Sequence, residues 1–123
     1  MNAKKVTEEL QRKYPNKNII KNDPNNPTEI ICEIDPTSDH PDYDKAIAVI
    51  DYSIPHYHLK STEEYIVLSG ELLVTVDGKE YSIAEGKNLI IKPGQHHTAK
   101  GNETWVECIS KPGWTPEDHI IIK

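Results

Sequence analysis

From Glu29 onward, the chain offers no long stretch with the recurrence of a helix. Short runs rich in Ile, Val, Thr and Tyr alternate instead with Gly, Pro, Asn and Asp. The runs are centred on Ile30–Ile34, Lys45–Ile54, Glu64–Ser69, Glu71–Val76, Lys79–Ile83, Asn88–Ile91, Thr104–Ser110 and His119–Ile122. Val76-Asp77-Gly78-Lys79 is the clearest local signal, since a two-residue Asp-Gly loop between β-rich runs favours a type I′ hairpin. Many short strands with frequent turns predict an all-β sandwich or barrel. Helical spacing occurs only near the start, where Val6, Leu10 and Tyr14 form an apolar stripe that Pro15 and Asn16 end. Residues 1–28 therefore read as a helix-and-loop extension, with residues 15–28 as loop, and residues 29–123 as the β domain. Pro116 after Thr115 predicts a single helical turn before the last strand.

A length of 123 residues suits one domain with a real core. The formal charge of −6 disfavours a phosphate-backbone binder and an anionic membrane surface. No apolar run is long enough for a membrane helix or a secretory leader. Cys32 and Cys108 form no CxxC pair, which with the missing leader leads us to expect a reducing, cytoplasmic setting. Arg12 is the only arginine and lies far from the histidines described next, which argues against an arginine clamp for an anionic substrate.

Four of the six histidines fall in two tight groups. In Pro55-His56-Tyr57-His58, strand alternation sends His56 and His58 to the same face. Glu63 follows closely enough to return to that spot from the next strand. Two imidazoles and a carboxylate with open positions suit Fe(II), Mn(II), Ni(II) or Zn(II). The second group, Pro93-Gly94-Gln95-His96-His97, places adjacent histidines on opposite faces, so only one of them can join the first group.

These residues resemble the two motifs of the cupin superfamily of small β-barrels. His56, His58, Glu63 and Gly70 fit the first motif in spacing, with Ile50 in place of its leading glycine. Gly86, Gly94 and His97 fit the second, with Lys92 and Gly101 standing where a proline and an asparagine would be. The resemblance covers roughly residues 45–110 and implies a single-domain jelly-roll barrel in which His56, His58, Glu63 and His97 hold a divalent Mn, Fe, Zn or Ni ion. The segment Trp114–His119 is similar to the tail of small prokaryotic cupins that are often grouped with mannose-6-phosphate isomerases. The family also implies a homodimer, with a strand such as Ile30-Ile31 crossing between subunits.

Strand parity then predicts what lines the pocket. Ala48, Ile50 and Tyr52 share a face with His56, Tyr65 and Val67 share one with Glu63, and Val106 and Cys108 point inward while Glu107 points out. Tyr52, Tyr65 and His96 are the candidates for a general acid or base beside the metal, although parity turns His96 toward solvent. Trp105 and Trp114 read as packing or interface residues. The expected function is isomerase, epimerase or lyase chemistry on a small oxygen-rich molecule such as a sugar or keto acid. An Fe(II)-dependent dioxygenase and a non-catalytic ligand-binding barrel are the alternatives.

Overall fold

The computed structural model describes residues 1–122. Helix α1 (Ala3–Lys13) opens with the Asn2 side chain accepting from the Lys5 amide at 3.2 Å. The strands are β1 (Asn18–Lys21), β2 (Glu29–Asp35), β3 (Asp44–Tyr57), β4 (Thr62–Ser69), β5 (Leu72–Val76), β6 (Lys79–Ile83), β7 (Asn88–Ile91), β8 (His97–Lys111) and β9 (Ile120–Ile121). One 3-10 turn, Pro116–Asp118, precedes β9. All pairings are antiparallel, in the order β1-β2-β3-β8-β4-β7, with β5 bridging β6 and β8 and β9 closing on β3. The mainly β, single-domain barrel expected from the sequence is what the chain forms.

Two apolar clusters hold it together, and β3 shows why. Its alternation sends Ala48 and Ile50 into the barrel, where they meet Tyr65, Val67, Leu72, Val74 and Val106. Ile47 and Val49 point the other way and pack with Ile30, Cys32 and the Val6–Leu10 stripe of α1. A strand apolar on both faces is thus covered on both, inside by the barrel and outside by the helix.

The long strand β8 pairs with β5 through its first residues and with β4 through its later ones, and it bends between them. Glu103 takes φ 46° there, and the Thr104 hydroxyl donates to the Glu71 carbonyl at 2.8 Å. Gly101 sits so tightly in this bend that a Cβ would meet the Ile50 carbonyl oxygen at 2.7 Å. That close approach accounts for a glycine where the motif carries asparagine.

Three strand boundaries differ from expectation. β1 forms within the segment read as loop, because Ile19 packs into the helix-side cluster and Asn18 bonds the Glu33 carboxylate at 2.8 Å. β3 runs on to Tyr57, and β8 begins at His97 rather than Thr104. Both extensions carry histidines of the motif into the sheet.

Candidate metal centre

The site is built where three strands end together. His56 lies near the end of β3, His58 just past it, Glu63 near the start of β4, and His97 at the first residue of β8. His56 and His97 face each other in the β3–β8 register. One ligand atom from each of His56, His58, Glu63 and His97 lies within 4.8 Å of the others. All four side chains are buried, at 2–7% exposure.

Backbone carbonyls orient the rings. His56 Nδ1 meets the Ile54 oxygen at 2.7 Å, His58 Nδ1 the Asp118 oxygen at 2.7 Å, and His97 Nδ1 the Gln95 oxygen at 3.0 Å. A carbonyl can only accept, so each Nδ1 donates and each neutral ring keeps its Nε2 lone pair for the interior. His97 Nε2 and His58 Nε2 stand 3.4 and 3.8 Å from the Glu63 carboxylate. His58 Nε2, His97 Nε2 and Glu63 Oε1 are buried without a hydrogen-bond partner. Orphaned polar atoms of this kind are costly. A divalent ion bound by the three imidazoles and the carboxylate satisfies all of them at once, so the residues fit a metal.

Charge in the site follows from this packing. Burial alone would raise the Glu63 carboxyl, but His97 and His58 beside it hold it down to about 2. Burial, with His97 close by, pushes His56 down to about 4. Burial also opposes charge on His97, but the Glu63 carboxylate outweighs it and raises the ring.

A cavity of about 230 Å³ opens beside the ligands. Of the residues expected to act there, Tyr65 is buried in its wall, with its ring 6.4 Å from that of His97. Burial and the Glu63 charge keep its phenol protonated well above the usual range. Tyr52 is not part of the wall. Bulges between Ile50 and Tyr52 and between Ser53 and His56 reset the alternation, so Ser53 takes the inward place. His96 is exposed and stacks on Tyr57 with centroids 4.7 Å apart, outside the cavity. Cys108 lines the wall, as parity suggested, and Trp114 does so as well.

Three other residues shape the site. His119 stacks on His56 at 4.3 Å and accepts from Trp114 Nε1 at 3.3 Å. Asp118 binds the loop between His58 and Glu63. Glu29 reaches the cavity from β2, where the alternation of Glu29, Ile31 and Glu33 gives a facing signal once the strand's inner side is known. Burial, then the Glu63 charge, pushes the Glu29 carboxyl up to about 7, with Ser53 pulling the other way. A carboxyl raised on folding stabilises the fold fully below its ordinary value near 4.5 and loses that contribution as pH rises through about 7. Through Glu29, metal-free protein is therefore expected to gain about 2 kcal/mol of stability at pH 5.5 relative to pH 8, against an opposing loss from His56, whose ring is held down to about 4. Urea unfolding of Glu29→Gln at the two pH values should show most of that gain gone.

Residues 46–109 match the cupin domain family. The chain belongs to the cupins. No curated protein matches its sequence. Among solved structures, it is similar to Pac13 from Streptomyces, a nucleoside dehydratase, at 10% identity and TM-score 0.75 over 89% of this chain and 88% of that one. It is similar to KdgF from Halomonas sp. at 17% identity and TM-score 0.66, over 77% and 87% of the two chains. A variant of Bacillus subtilis oxalate decarboxylase, an enzyme with Mn(II) centres, aligns at 13% identity and TM-score 0.72, over 89% of this cupin and 31% of the decarboxylase. At these identities the likeness is one of fold.

Proposed function

We propose that this cupin is a metal-dependent enzyme acting on a small oxygen-rich molecule of the sugar or keto-acid kind, by isomerase, epimerase or lyase chemistry. The observation that carries this reading is the set of buried, partnerless ligand atoms converging at the edge of a cavity. His56, His58, Glu63 and His97 would hold the ion, which when bound would polarise a carbonyl or hydroxyl oxygen. The chain's own groups divide the remaining work. Tyr65 keeps its proton and can donate a hydrogen bond at the cavity wall. Glu29, with a proton affinity matched to neutral pH, is suited to taking a proton from a carbon or oxygen acid and returning it. The barrel side chains Ala46 and Ala48 leave the cavity room beside the ligands. Pac13, a nucleoside dehydratase of the same fold, supports a reading in which the chemistry moves protons.

The test is metal content of untagged protein prepared without oxygen or chelator, followed by NMR of sugars and keto acids incubated with it in D₂O. The expected result is manganese, zinc or nickel near one per chain, with deuterium entering one substrate class and failing to enter after chelation or in Glu29→Gln. Iron with oxygen consumption would replace this reading with the dioxygenase, and protein that binds no metal would leave a ligand-binding barrel.

A further inference from the structure

We propose that the cavity selects uncharged, hydroxyl-bearing molecules and rejects phosphorylated or carboxylated ones, an inference that rests on the metal-binding reading above. Glu29 and Glu33 from β2, Asp44 from the start of β3 and Glu63 all line it. Among the described residues, its lining contains no lysine or arginine. Arg12 is exposed on α1. None of the ion pairs among the described residues matches Glu29, Glu33 or Asp44 with a lysine. Their polar contacts are neutral, since Glu33 accepts from the Asn18 amide at 2.8 Å and Asp44 from the Ser110 backbone at 3.2 Å.

The acidic wall adjoins a built site rather than open surface. Glu63 Oε1 and the Nε2 atoms of His58 and His97 are partnerless and more than nine-tenths buried. A divalent ion there contributes two positive charges against four cavity carboxylates, so the occupied site remains negative when all are ionised. An anion entering it meets net repulsion and finds no cationic side chain to pair with beyond the ion itself, and like-charge contacts cost affinity. A neutral polyol instead brings hydroxyl donors to carboxylates that can only accept. The phosphate of a sugar phosphate and the carboxylate of a keto acid thus both meet a wall built against them, which narrows the sugar or keto-acid class above to uncharged sugars and polyols.

Two small nitrogen donors of different charge separate the possibilities. Azide and imidazole each bind an open metal position, and at pH 8 one is an anion and the other neutral. Cobalt(II)-loaded protein is titrated with each and followed by its visible spectrum, in the wild type, in Glu29→Gln/Glu33→Gln and in Glu33→Gln alone. The single variant changes only a partly exposed position at the cavity edge and guards against misfolding of the double one. Azide should bind the double variant about tenfold or more tighter than wild type, and Glu33→Gln should lie between them. Imidazole should stay within about twofold. Equal azide affinity across the three proteins, or no azide binding in any while imidazole binds, overturns the selection. Failure of cobalt to bind the wild type overturns the metal reading itself, and this inference with it.

Discussion

Replacing His58 with alanine is expected to abolish tight metal binding and, with it, the protein's response to chelation. His58 supplies a buried, partnerless Nε2 among four converging ligands. Its Nδ1 donates to the Asp118 carbonyl at 2.7 Å, which fixes the tautomer and orients Nε2 toward the other ligands. A metal that binds only the folded chain adds RT ln(1 + [M]/Kd) to stability, about 2.7 kcal/mol at a free concentration of 100 Kd. With an unfolding entropy of roughly 2.1 cal/mol/K per residue, a chain of this length should lose about 10 °C in Tm when the ion is stripped. The wild type should show that drop on addition of EDTA, and His58→Ala should melt at one temperature with or without it. Metal analysis of both proteins by mass spectrometry gives the independent readout. Full occupancy in the variant, with an undiminished EDTA shift, would remove His58 from the ligand set.

The ligand residues were legible because strand geometry is local. An H-x-H pair needs only alternation to share a face, and alternation also separates His97 from its neighbour His96, which the structure leaves exposed on Tyr57. The same rule failed for Tyr52, because bulges in β3 on either side of it, between Ile50 and Tyr52 and between Ser53 and His56, leave no trace in the pattern of apolar and polar residues. β1 escaped notice for another reason. Its four residues do not alternate, and they become a strand only by pairing with β2 beneath the helix. The supporting groups are the least legible of all. Glu29 reaches the cavity from β2, outside both motifs, and Asp118 is 60 residues from the histidine it orients. The acidic residues of the wall, Glu29, Glu33 and Asp44, belong to no motif, and only barrel closure turns them onto one cavity.

Asp118 is expected to be the most sensitive position outside the ligands. It is 6% exposed, and its carboxylate accepts from the amides of Leu59 at 2.7 Å, Lys60 at 3.1 Å and Ser61 at 3.0 Å. Those amides form the loop that leaves His58 and arrives at Glu63, so one side chain from the far end of the chain sets the spacing of two ligands. Burial by itself would raise this carboxyl, yet the amides of Leu59, Ser61 and Lys60 hold it below the usual range, which shows that the charged form is the one they bind. In Asp118→Ala the three donors lose their acceptor, and the metal-free protein should be less stable by about 2–4 kcal/mol in urea. Metal affinity should fall by about 10–100-fold in a chelator competition, the range seen when a group supporting a ligand is removed. Asp118→Asn separates shape from charge: its amide oxygen can still accept while its NH₂ faces a donor, so its losses should lie between those of wild type and alanine. The His58 ring should remain bonded to the backbone carbonyl of residue 118 in both variants, because that acceptor belongs to the main chain. Unchanged metal affinity in Asp118→Ala, despite a measured loss of stability, would show that β3 and β4 alone hold His58 and Glu63 at their spacing.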